Sequence, residues 1–279
     1  LVASEAKARE LAARDYLTGL LNRGAFIEAL DAAIARRRDG ETLALLFVDL
    51  DDFKAINDGA GHVAGDDLLR AFARRTEEAL GEGSVVARFG GDEFVAVVHC
   101  RDEGDLDRTV ERLFAALAPP VPLERGGELS LSACVGAARL PQDAATGAEL
   151  MRLADVALYQ AKADGTGLYR LFEPGFDAAR VERRRIELEL AAALDKGEIT
   201  LVYQPQVDVE SERIVGFEAL ARWDHPTQGR LLPGAFLAVA EASRLMGRFD
   251  AYVLRMALLE ARALPGVTLS VNMSALNLR

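Results

Sequence analysis

Residues 88–94, Arg88-Phe89-Gly90-Gly91-Asp92-Glu93-Phe94, decide the fold, because two glycines and two adjacent carboxylates separate two apolar segments. The segments 85–89 and 94–98 have the composition of buried strands. Glycines between two such strands predict a hairpin. Its turn should project both carboxylates outward, and the glycines, which lack side chains, should let a ligand approach the backbone closely. Two carboxylates on a rigid tip suit a divalent metal and a phosphorylated substrate.

A second acidic cluster follows the apolar run Leu43–Val48, which predicts a buried strand. The run ends in Asp49-Leu50-Asp51-Asp52, at the end of a strand where α/β sheets usually bind their ligands. We expect the polar, glycine-rich stretch 53–61 to be a loop that enters a helix near Val63. Such a loop can offer backbone N–H groups to phosphate.

The first half of the chain alternates helices and strands, which predicts an α/β domain around one sheet. Its predicted helices are 24–38, 63–80, 105–117 and 149–163, and its predicted strands are 42–49, 129–140 and 168–172, together with the hairpin 84–100. Glu173-Pro174-Gly175 interrupts this pattern, and a charged amphipathic helix over 176–196 follows. A second α/β pattern then begins. Its predicted strands are 199–209, 214–223 and 267–272, and its predicted helices are 233–243 and 248–264.

Composition limits the class of protein. The 279 residues suffice for two domains, and the net charge of −11 argues against a general nucleic-acid binder, which would carry a basic face. No apolar run approaches the roughly 18 residues needed to span a membrane, so we expect a cytoplasmic protein. An alternative is that the chain is the cytoplasmic part of a longer, membrane-attached sensor, with residues 1–14 as an incoming linker helix. Cys100 and Cys134 are too few for a disulfide framework or a zinc site, and we interpret them as buried free thiols.

Four ordered motifs within residues 15–174 resemble those of the GGDEF diguanylate cyclase domains. In chain order they are Asp15-Tyr16-Leu17-Thr18-Gly19-Leu20-Leu21-Asn22-Arg23, then Asp49–Asp58 with Gly61-His62 and Gly65-Asp66, then Gly90–Phe94, and finally Asp155–Lys162. The resemblance implies a palm-like α+β fold similar to class III nucleotidyl cyclases. It also implies that each domain binds one GTP and that two domains meet face to face in a homodimer. Two phosphodiester bonds would form, two pyrophosphates would leave, and cyclic di-GMP would be the product.

The same resemblance implies a metal site. Asp49, Asp92 and the backbone carbonyl of Leu50 match the family's metal ligands, and their oxygen atoms suit Mg²⁺ or Mn²⁺. Either Asp92 or Glu93 would take the proton from the attacking hydroxyl. The backbone of Gly90-Gly91 would lie against the substrate. Without the other motifs, an isolated acidic pair would be interpreted as a solvated turn.

Five further side chains match the family's substrate site. Asn57 and Asp66 match the residues that read guanine, whose donors and acceptors suit a carboxylate and an amide. Taken alone, these two residues would be a loop cap and a helix N-terminal charge. His62 lies near the substrate in the family, with a structural loop role as the alternative. Lys54 and Lys162 match positions near the phosphates, where an ammonium group offsets negative charge.

The chain departs from the family's pattern at two places. Thr166 stands where the family commonly has an arginine that helps to hold phosphate, which should weaken GTP binding and leave the metal site intact. Gly81 and Ser84 stand where many members carry an arginine and an aspartate that bind the product as an inhibitor. We therefore predict no product inhibition through that site.

Residues 198–279 resemble the opening part of an EAL phosphodiesterase domain, a barrel similar to the (β/α)₈ class. The motifs are Tyr203-Gln204-Pro205, Glu218-Ala219-Leu220-Ala221-Arg222-Trp223 and Val271-Asn272-Met273-Ser274. Glu218 and Asn272 match two metal ligands of that family, and Gln204 and Arg222 match positions near its substrate. The family's later carboxylates and catalytic lysine have no counterpart in this sequence, so we expect no hydrolysis by this chain.

Three functions remain open from the sequence. The intact signature Gly90–Phe94, together with Asp49, Asn57 and Asp66, favours an active diguanylate cyclase. Thr166 and the EAL-like region favour a GTP-binding regulatory module that controls a phosphodiesterase. A bifunctional protein would make and hydrolyse the same messenger. We interpret the helix over 175–197 as a solvated linker between the two regions, with a role in dimerisation as the alternative.

Overall fold

The computed structural model describes residues 12–274 except 103, 244, 264, 265 and 267, and the chain divides into two compact units. The first unit is Leu1–Asp177 and the second is Ala178–Arg279. The linker helix predicted over residues 1–14 lies outside the described residues for positions 1–11. None of the helices described here is long and apolar enough to cross a membrane.

The first unit is built around a six-stranded sheet. Its strands are β1 (Leu21–Asn22), β2 (Thr42–Leu50), β3 (Val85–Gly90), β4 (Glu93–Cys100), β7 (Ala133–Leu140) and β8 (Tyr169–Leu171), and β5 (Val121–Pro122) and β6 (Glu128–Leu129) form a separate small ribbon. The order across the sheet is β1-β3-β4-β2-β7-β8. The central strand β2 is antiparallel to both of its neighbours, and this register places Asp49 opposite Glu93 on one side and Cys134 on the other.

Helices cover both faces of this sheet. They are α1 (Arg23–Arg36), α2 (Phe53–Ala60), α3 (His62–Leu80), α4 (Asp105–Leu117) and α5 (Gly147–Asp164). Successive residues of a strand point to opposite faces. Accordingly Leu46 packs with Phe72 of α3, whereas its neighbour Leu45 packs with Phe26 of α1 and Ala154 of α5. The unit is therefore a three-layer arrangement, and the predicted α/β domain around one sheet is confirmed.

The prediction of a loop over 53–61 is wrong, because residues Phe53–Ala60 form a helix. Phe53 and Ile56, spaced by three residues, pack against the core and give this short helix its apolar side. Asp52 takes a left-handed conformation (φ 54°) that turns the chain out of β2. The glycines mark the end of the helix, where Gly61 (φ 85°) donates its N–H to the carbonyl of Asn57.

The second unit contains a four-stranded sheet and three helices among its described residues. The helices are α6 (Phe176–Lys196, which begins two residues before the unit), α7 (Leu237–Ala242) and α8 (Met246–Glu260), with single 3₁₀ turns at Pro233–Ala235 and Ala261–Ala263; the strands are β9 (Ile199–Val207), β10 (Ile214–His225), β11 (Gly229–Leu231) and β12 (Thr268–Val271). β10 is antiparallel to β9 and parallel to β12. Trp223 and Phe236 are fully buried at the centre of this unit.

Candidate active site

A cavity of about 300 Å³ opens at the end of β2, between the β3–β4 turn and the end of α5. It is lined by Asp49, Leu50, Asp51, Asp52, Phe53, Lys54, Asp92, Lys162, Gly165 and Thr166. Three segments that are distant in the sequence thus meet at one edge of the sheet. They bring both acidic clusters together with two lysines.

Asp49 lies on the face of β2 that α5 covers, because it continues the alternation of Leu45 and Phe47. Its side chain is therefore within reach of Lys162 on α5, and the distance between Nζ and Oδ2 is 2.6 Å. Burial raises the pKa of Asp49 above its ordinary value, the Lys162 ammonium opposes this shift, and the charges of Asp92 and Glu93 add to it. The Asp49 carboxylate thus needs a cation beside it, and Lys162 supplies one.

The residues at this edge fit a hard divalent cation. Asp49 and Asp92 line the same cavity, and the N–H of Leu50 donates to the carbonyl of Asp92 at 3.3 Å, which holds the hairpin turn against the end of β2. Within the part of the chain that the structure describes, no group of three or more His, Cys, Asp or Glu side chains converges. Two carboxylates and a main-chain carbonyl leave room for water and phosphate oxygens, which Mg²⁺ usually keeps as ligands.

Arg88 holds the tip of the β3–β4 hairpin through hydrogen bonds. Gly90 (φ 147°) and Gly91 (φ 53°) take conformations that side chains disfavour. Arg88 donates from Nε and Nη2 to the carbonyl of Gly91 at 3.1 and 2.7 Å, and from Nη1 to Oδ1 of Asp15 at 3.1 Å. The side chains of Arg88 and Asp15 are only 11% and 17% exposed.

The side chain of Asp15 is itself held by Thr18, three residues later in the chain. The same Oδ1 accepts the N–H and the hydroxyl of Thr18 at 2.9 and 2.7 Å. Burial alone would raise the pKa of Asp15, but the hydrogen bonds from Thr18 and Arg88 outweigh it and lower that pKa below its ordinary value. The first motif of the chain therefore braces the hairpin that carries Asp92, a role that sequence reasoning missed.

The predicted guanine-reading residues do not line the cavity. Asn57 is half-buried on α2, one turn beyond Lys54, and Asp66 is half-buried in the first turns of α3. A β-carbon built on Gly65 would lie 2.0 Å from Oδ1 of Asn57, so the amide rests directly on the backbone beside Asp66. The structure thus brings Asn57 against Gly65, the residue before Asp66, whereas His62 is exposed at the start of α3.

Three residues that sequence reasoning did not assign to the site hold the loop after α5. Oδ2 of Asp51 accepts the hydroxyl of Ser132 at 2.6 Å and the N–H of Gly167 at 2.7 Å. The thiol of Cys134 donates to the carbonyl of Gly165 at 3.2 Å. The signal for Asp51 was its place in the acidic run, but nothing in the sequence pointed to the other two.

The two cysteines are free thiols, as predicted. Cys134 is fully buried, whereas Cys100 is only half-buried, which corrects the prediction that both are buried. Burial raises the pKa of each thiol to about 11, so both remain protonated at neutral pH.

In the second unit, three of the four predicted EAL-type residues lie together. Asn272 donates from Nδ2 to Oε1 of Glu218 at 2.7 Å, and Gln204 is the register partner of Glu218 across β9 and β10. Arg222 lies four residues further along the same face of β10 and donates to the carbonyl of Ala221.

Two family models match the chain. The model described as "Diguanylate cyclase, GGDEF domain" matches residues 12–167, and the model described as "EAL domain" matches residues 187–279. The first match alone covers more than half of the chain.

Several relatives carry the same combination. The "Bifunctional diguanylate cyclase/cyclic di-GMP phosphodiesterase MucR" of Pseudomonas aeruginosa is 39% identical over 246 residues, which are 88% of this chain and 36% of that protein. The chain spans only about a third to two fifths of the length of the first curated relatives it matches.

Solved GGDEF domains share the fold of the first unit. The GGDEF domain of TpbB (YfiN) from Pseudomonas aeruginosa is 38% identical with a TM-score of 0.55, and the match covers 60% of this chain and 98% of that one. The GGDEF domain of DgcB from Caulobacter crescentus, solved in complex with c-di-GMP, is 29% identical with a TM-score of 0.54, covering 57% of this chain and 95% of that one.

Proposed function

The chain belongs to the diguanylate cyclase GGDEF-domain family and continues into the first part of an EAL domain, and from this premise we propose that it condenses two GTP molecules into cyclic di-GMP. The 3′-hydroxyl of each GTP attacks the α-phosphorus of the other. Two P–O bonds form, two pyrophosphates leave, and each hydroxyl gives up one proton. The observation that carries the proposal is the meeting of Asp49, Asp92 and Lys162 at one cavity on the sheet edge.

Asp49, Asp92 and the main-chain carbonyl of Leu50 would hold the divalent cation. When bound, Mg²⁺ or Mn²⁺ supplies positive charge at the attacking and leaving oxygens. The backbone of Gly90-Gly91 lets the phosphates approach the hairpin. Asp92 or Glu93 would accept the proton of the hydroxyl, because the two carboxylates lie together at the hairpin tip and Asp92 lines the cavity.

The lysines offset the charge of the triphosphate. Lys54 is exposed at the mouth of the cavity and is free to turn towards a phosphate. Lys162 pairs with Asp49 at the edge of the cavity, where its ammonium would also offset the charge of a bound phosphate.

Asn57 and Asp66 give the preference for guanine. A carboxylate accepts the N1–H and N2–H donors of guanine, and the amide pairs with its acceptors. Adenine lacks this pair of donors, so ATP would leave the carboxylate unpaired at a partly buried position. His62, exposed at the start of the same helix, lies at the edge of this base site.

The reaction needs two nucleotides, so the active form is a homodimer with one GTP in each first unit. We place the protein in the cytoplasm, where GTP is available. The second unit holds Gln204, Glu218, Arg222 and Asn272, part of a phosphodiesterase site, and we expect no hydrolysis of cyclic di-GMP by these residues alone.

Thr166 favours a second candidate function. It lines the cavity where the family commonly carries a phosphate-binding arginine, and a threonine offers no positive charge. In this alternative, GTP binds the first unit without turnover and controls the phosphodiesterase of the longer protein. A parent protein in which both halves are active is the bifunctional form of the same proposal.

The test is a chromatographic search for cyclic di-GMP after the chain is incubated with GTP and Mg²⁺. Asp92→Ala and Asp49→Ala should each lower the rate by at least about a hundredfold. Each variant removes a carboxylate that would hold the cation, and the cation stabilises the charge of the transition state. Asp39→Ala, which removes an exposed carboxylate away from the cavity, is the matched control and should leave the rate unchanged. Metal-dependent GTP binding without product would favour the regulatory function instead.

A further inference from the structure

The loop Gly165-Thr166-Gly167 joins α5 to β8 and borders the candidate cavity. We propose that Asp51 is a positioning residue for the triphosphate end of the substrate, because it fixes this loop against the metal-binding edge. The inference rests on the proposed binding of GTP at this cavity. It concerns a carboxylate to which the cyclase chemistry gives no other task.

Asp51 connects three segments through one oxygen atom. Its Oδ2 accepts the N–H of Gly167 at 2.7 Å and the hydroxyl of Ser132 at 2.6 Å. In addition, the N–H of Asp51 donates to the carbonyl of Ser132 at 3.0 Å. The end of β2, the segment before β7 and the loop after α5 are thus held at a single point.

The other end of the loop is held from β7. The buried thiol of Cys134 donates to the carbonyl of Gly165 at 3.2 Å. Gly167 has a left-handed φ of 66°, and a β-carbon there would lie 3.2 Å from Oγ of Ser132. Between these two fixed glycines only Thr166 remains, exposed and lining the cavity.

This attachment also reaches the lysine of the site. Gly165 ends α5 and donates its N–H to the carbonyl of Ala161, the residue before Lys162. A loop that moved away from Asp51 would loosen the last turn of α5 and with it the ammonium that pairs with Asp49. Asp51 therefore acts on the substrate through the loop and through Lys162.

Electrostatics alone predicts the opposite effect, which makes the inference testable. Asp51 is one more negative charge beside a triphosphate, so its removal would strengthen GTP binding if repulsion were its main effect. If Asp51 bound the metal, every Asp51 variant would need a higher Mg²⁺ concentration to bind the nucleotide, and the increase would be the same in each. A positioning role predicts that an uncharged acceptor for the N–H of Gly167 preserves binding.

The experiment measures binding of 3′-deoxy-GTP with Mg²⁺ by calorimetry, because this nucleotide lacks the attacking hydroxyl. Asp51→Ala should raise Kd about tenfold, the scale of a lost hydrogen bond to an ionised group. Asp51→Asn keeps an acceptor and should stay within about threefold, and Ser132→Ala should fall between the two. Asp39→Asn, an exposed carboxylate with the same charge change, is the control and should bind like the native chain.

Amide hydrogen exchange gives a readout that is independent of turnover. Asp51→Ala should speed exchange of the Gly167 N–H at least about tenfold, because its acceptor is lost, while amides in the central strands keep their protection. Unchanged exchange at Gly167, tighter binding by Asp51→Ala, or equal losses in Asp51→Ala and Asp51→Asn would each overturn the inference.

The outcome separates this inference from the proposed reaction. A native chain that binds 3′-deoxy-GTP but makes no cyclic di-GMP would contradict the cyclase, and the affinity and exchange data would still decide the role of Asp51. A native chain that makes cyclic di-GMP while Asp51→Ala binds normally would overturn the role of Asp51 alone.

Discussion

The side-chain amide of Asn57 occupies the space that a β-carbon on Gly65 would need. Such a β-carbon would lie 2.0 Å from Oδ1 of Asn57. The absence of a side chain at Gly65 thus leaves room for Asn57, which we assign to guanine recognition. Gly65 is helical and has no left-handed strain, so its backbone alone would tolerate alanine. The contact with Asn57, rather than the conformation of the helix, makes glycine necessary at this position.

Gly65→Ala should therefore raise the KM for GTP about tenfold and weaken the preference for GTP over ATP. The atoms in the way belong to side chains. Asn57 should rotate aside, and the ring of Phe53, 3.2 Å from the new β-carbon, needs to shift only slightly, so the melting temperature should change little. Gly59→Ala is the matched control, since a β-carbon at Gly59 meets nothing within 4 Å. Steady-state kinetics with both nucleotides test this, and an unchanged KM for Gly65→Ala would remove Asn57 from base recognition.

At the scale of elements, the β3–β4 hairpin depends on the turn that carries Asp15. Arg88 joins the two through hydrogen bonds to Gly91 and Asp15, and both side chains of the ion pair are largely buried. Removal of the Asp15 charge leaves the largely buried guanidinium of Arg88 without its carboxylate partner, which should cost about 1–3 kcal/mol. The position of Asp92 on the tip should suffer as well.

The pH dependence follows from the lowered pKa of Asp15. Because its pKa is lower in the folded than in the unfolded chain, where it is about 3.9, the carboxylate stabilises the fold above about pH 4. This contribution disappears as the pH falls through the folded pKa. Thermal melting of the native chain and Asp15→Asn between pH 2 and 7 should show a gap that closes towards the acid end, and a constant gap would contradict the account.

The backbones of β7 and α5 approach each other closely at Gly136. A β-carbon on Gly136 would lie 1.9 Å from the backbone nitrogen of Leu158 and 2.3 Å from the carbonyl oxygen of Ala154. Backbone atoms cannot turn aside as a side chain can. The approach brings α5, and with it Lys162, close to the edge of the sheet.

Gly136→Ala should therefore destabilise the first unit by about 3 kcal/mol, at the upper end for overpacking. Gly24→Ala is the control, because its β-carbon would come no closer than 3.5 Å to Oδ1 of Asn22. Urea unfolding followed by circular dichroism measures the loss, and fluorescence of Trp223, the one tryptophan, follows the second unit separately. Equal stability of both variants would mean that α5 can shift freely.

Sequence patterns predicted the positions of the helices and strands better than they predicted the contacts between these elements. The helices 105–117 and 176–196 have the predicted bounds, because their charged ends and apolar spacing are local signals. The helix Phe53–Ala60 was missed, because the glycines and polar residues after it indicate a loop, whereas its apolar side becomes favourable only against the core. The strand predicted over 129–140 begins only at Ala133, since Ser132 turns to Asp51 instead.

The candidate site shows the same division. The motifs pointed to Asp49, Asp92 and Lys162, and the structure places all three at one cavity. The pairing of Lys162 with Asp49 depends on which face of β2 the helix α5 covers, which no local pattern encodes. Ser132 and Cys134 lie in ordinary strand-like sequence and gave no signal at all.

At the scale of the whole molecule, two compact units follow one another along the chain, and the first contains the residues that match the diguanylate cyclase model. A reaction between two bound GTP molecules requires two first units. The initial rate should therefore rise with the square of the protein concentration where the dimer is scarce, and linearly once it is saturated. Rate measurements over a hundredfold dilution test this, and a constant rate per protein throughout would contradict a dimer that forms in this range.

The most direct test of the central claim is the product balance after incubation with GTP and Mg²⁺. Cyclic di-GMP and pyrophosphate are quantified together by chromatography as GTP is consumed. The account predicts one cyclic di-GMP and two pyrophosphates for every two GTP consumed, and no corresponding product from ATP. Conversion of GTP to GDP and inorganic phosphate, or bound GTP that is never converted, would contradict it.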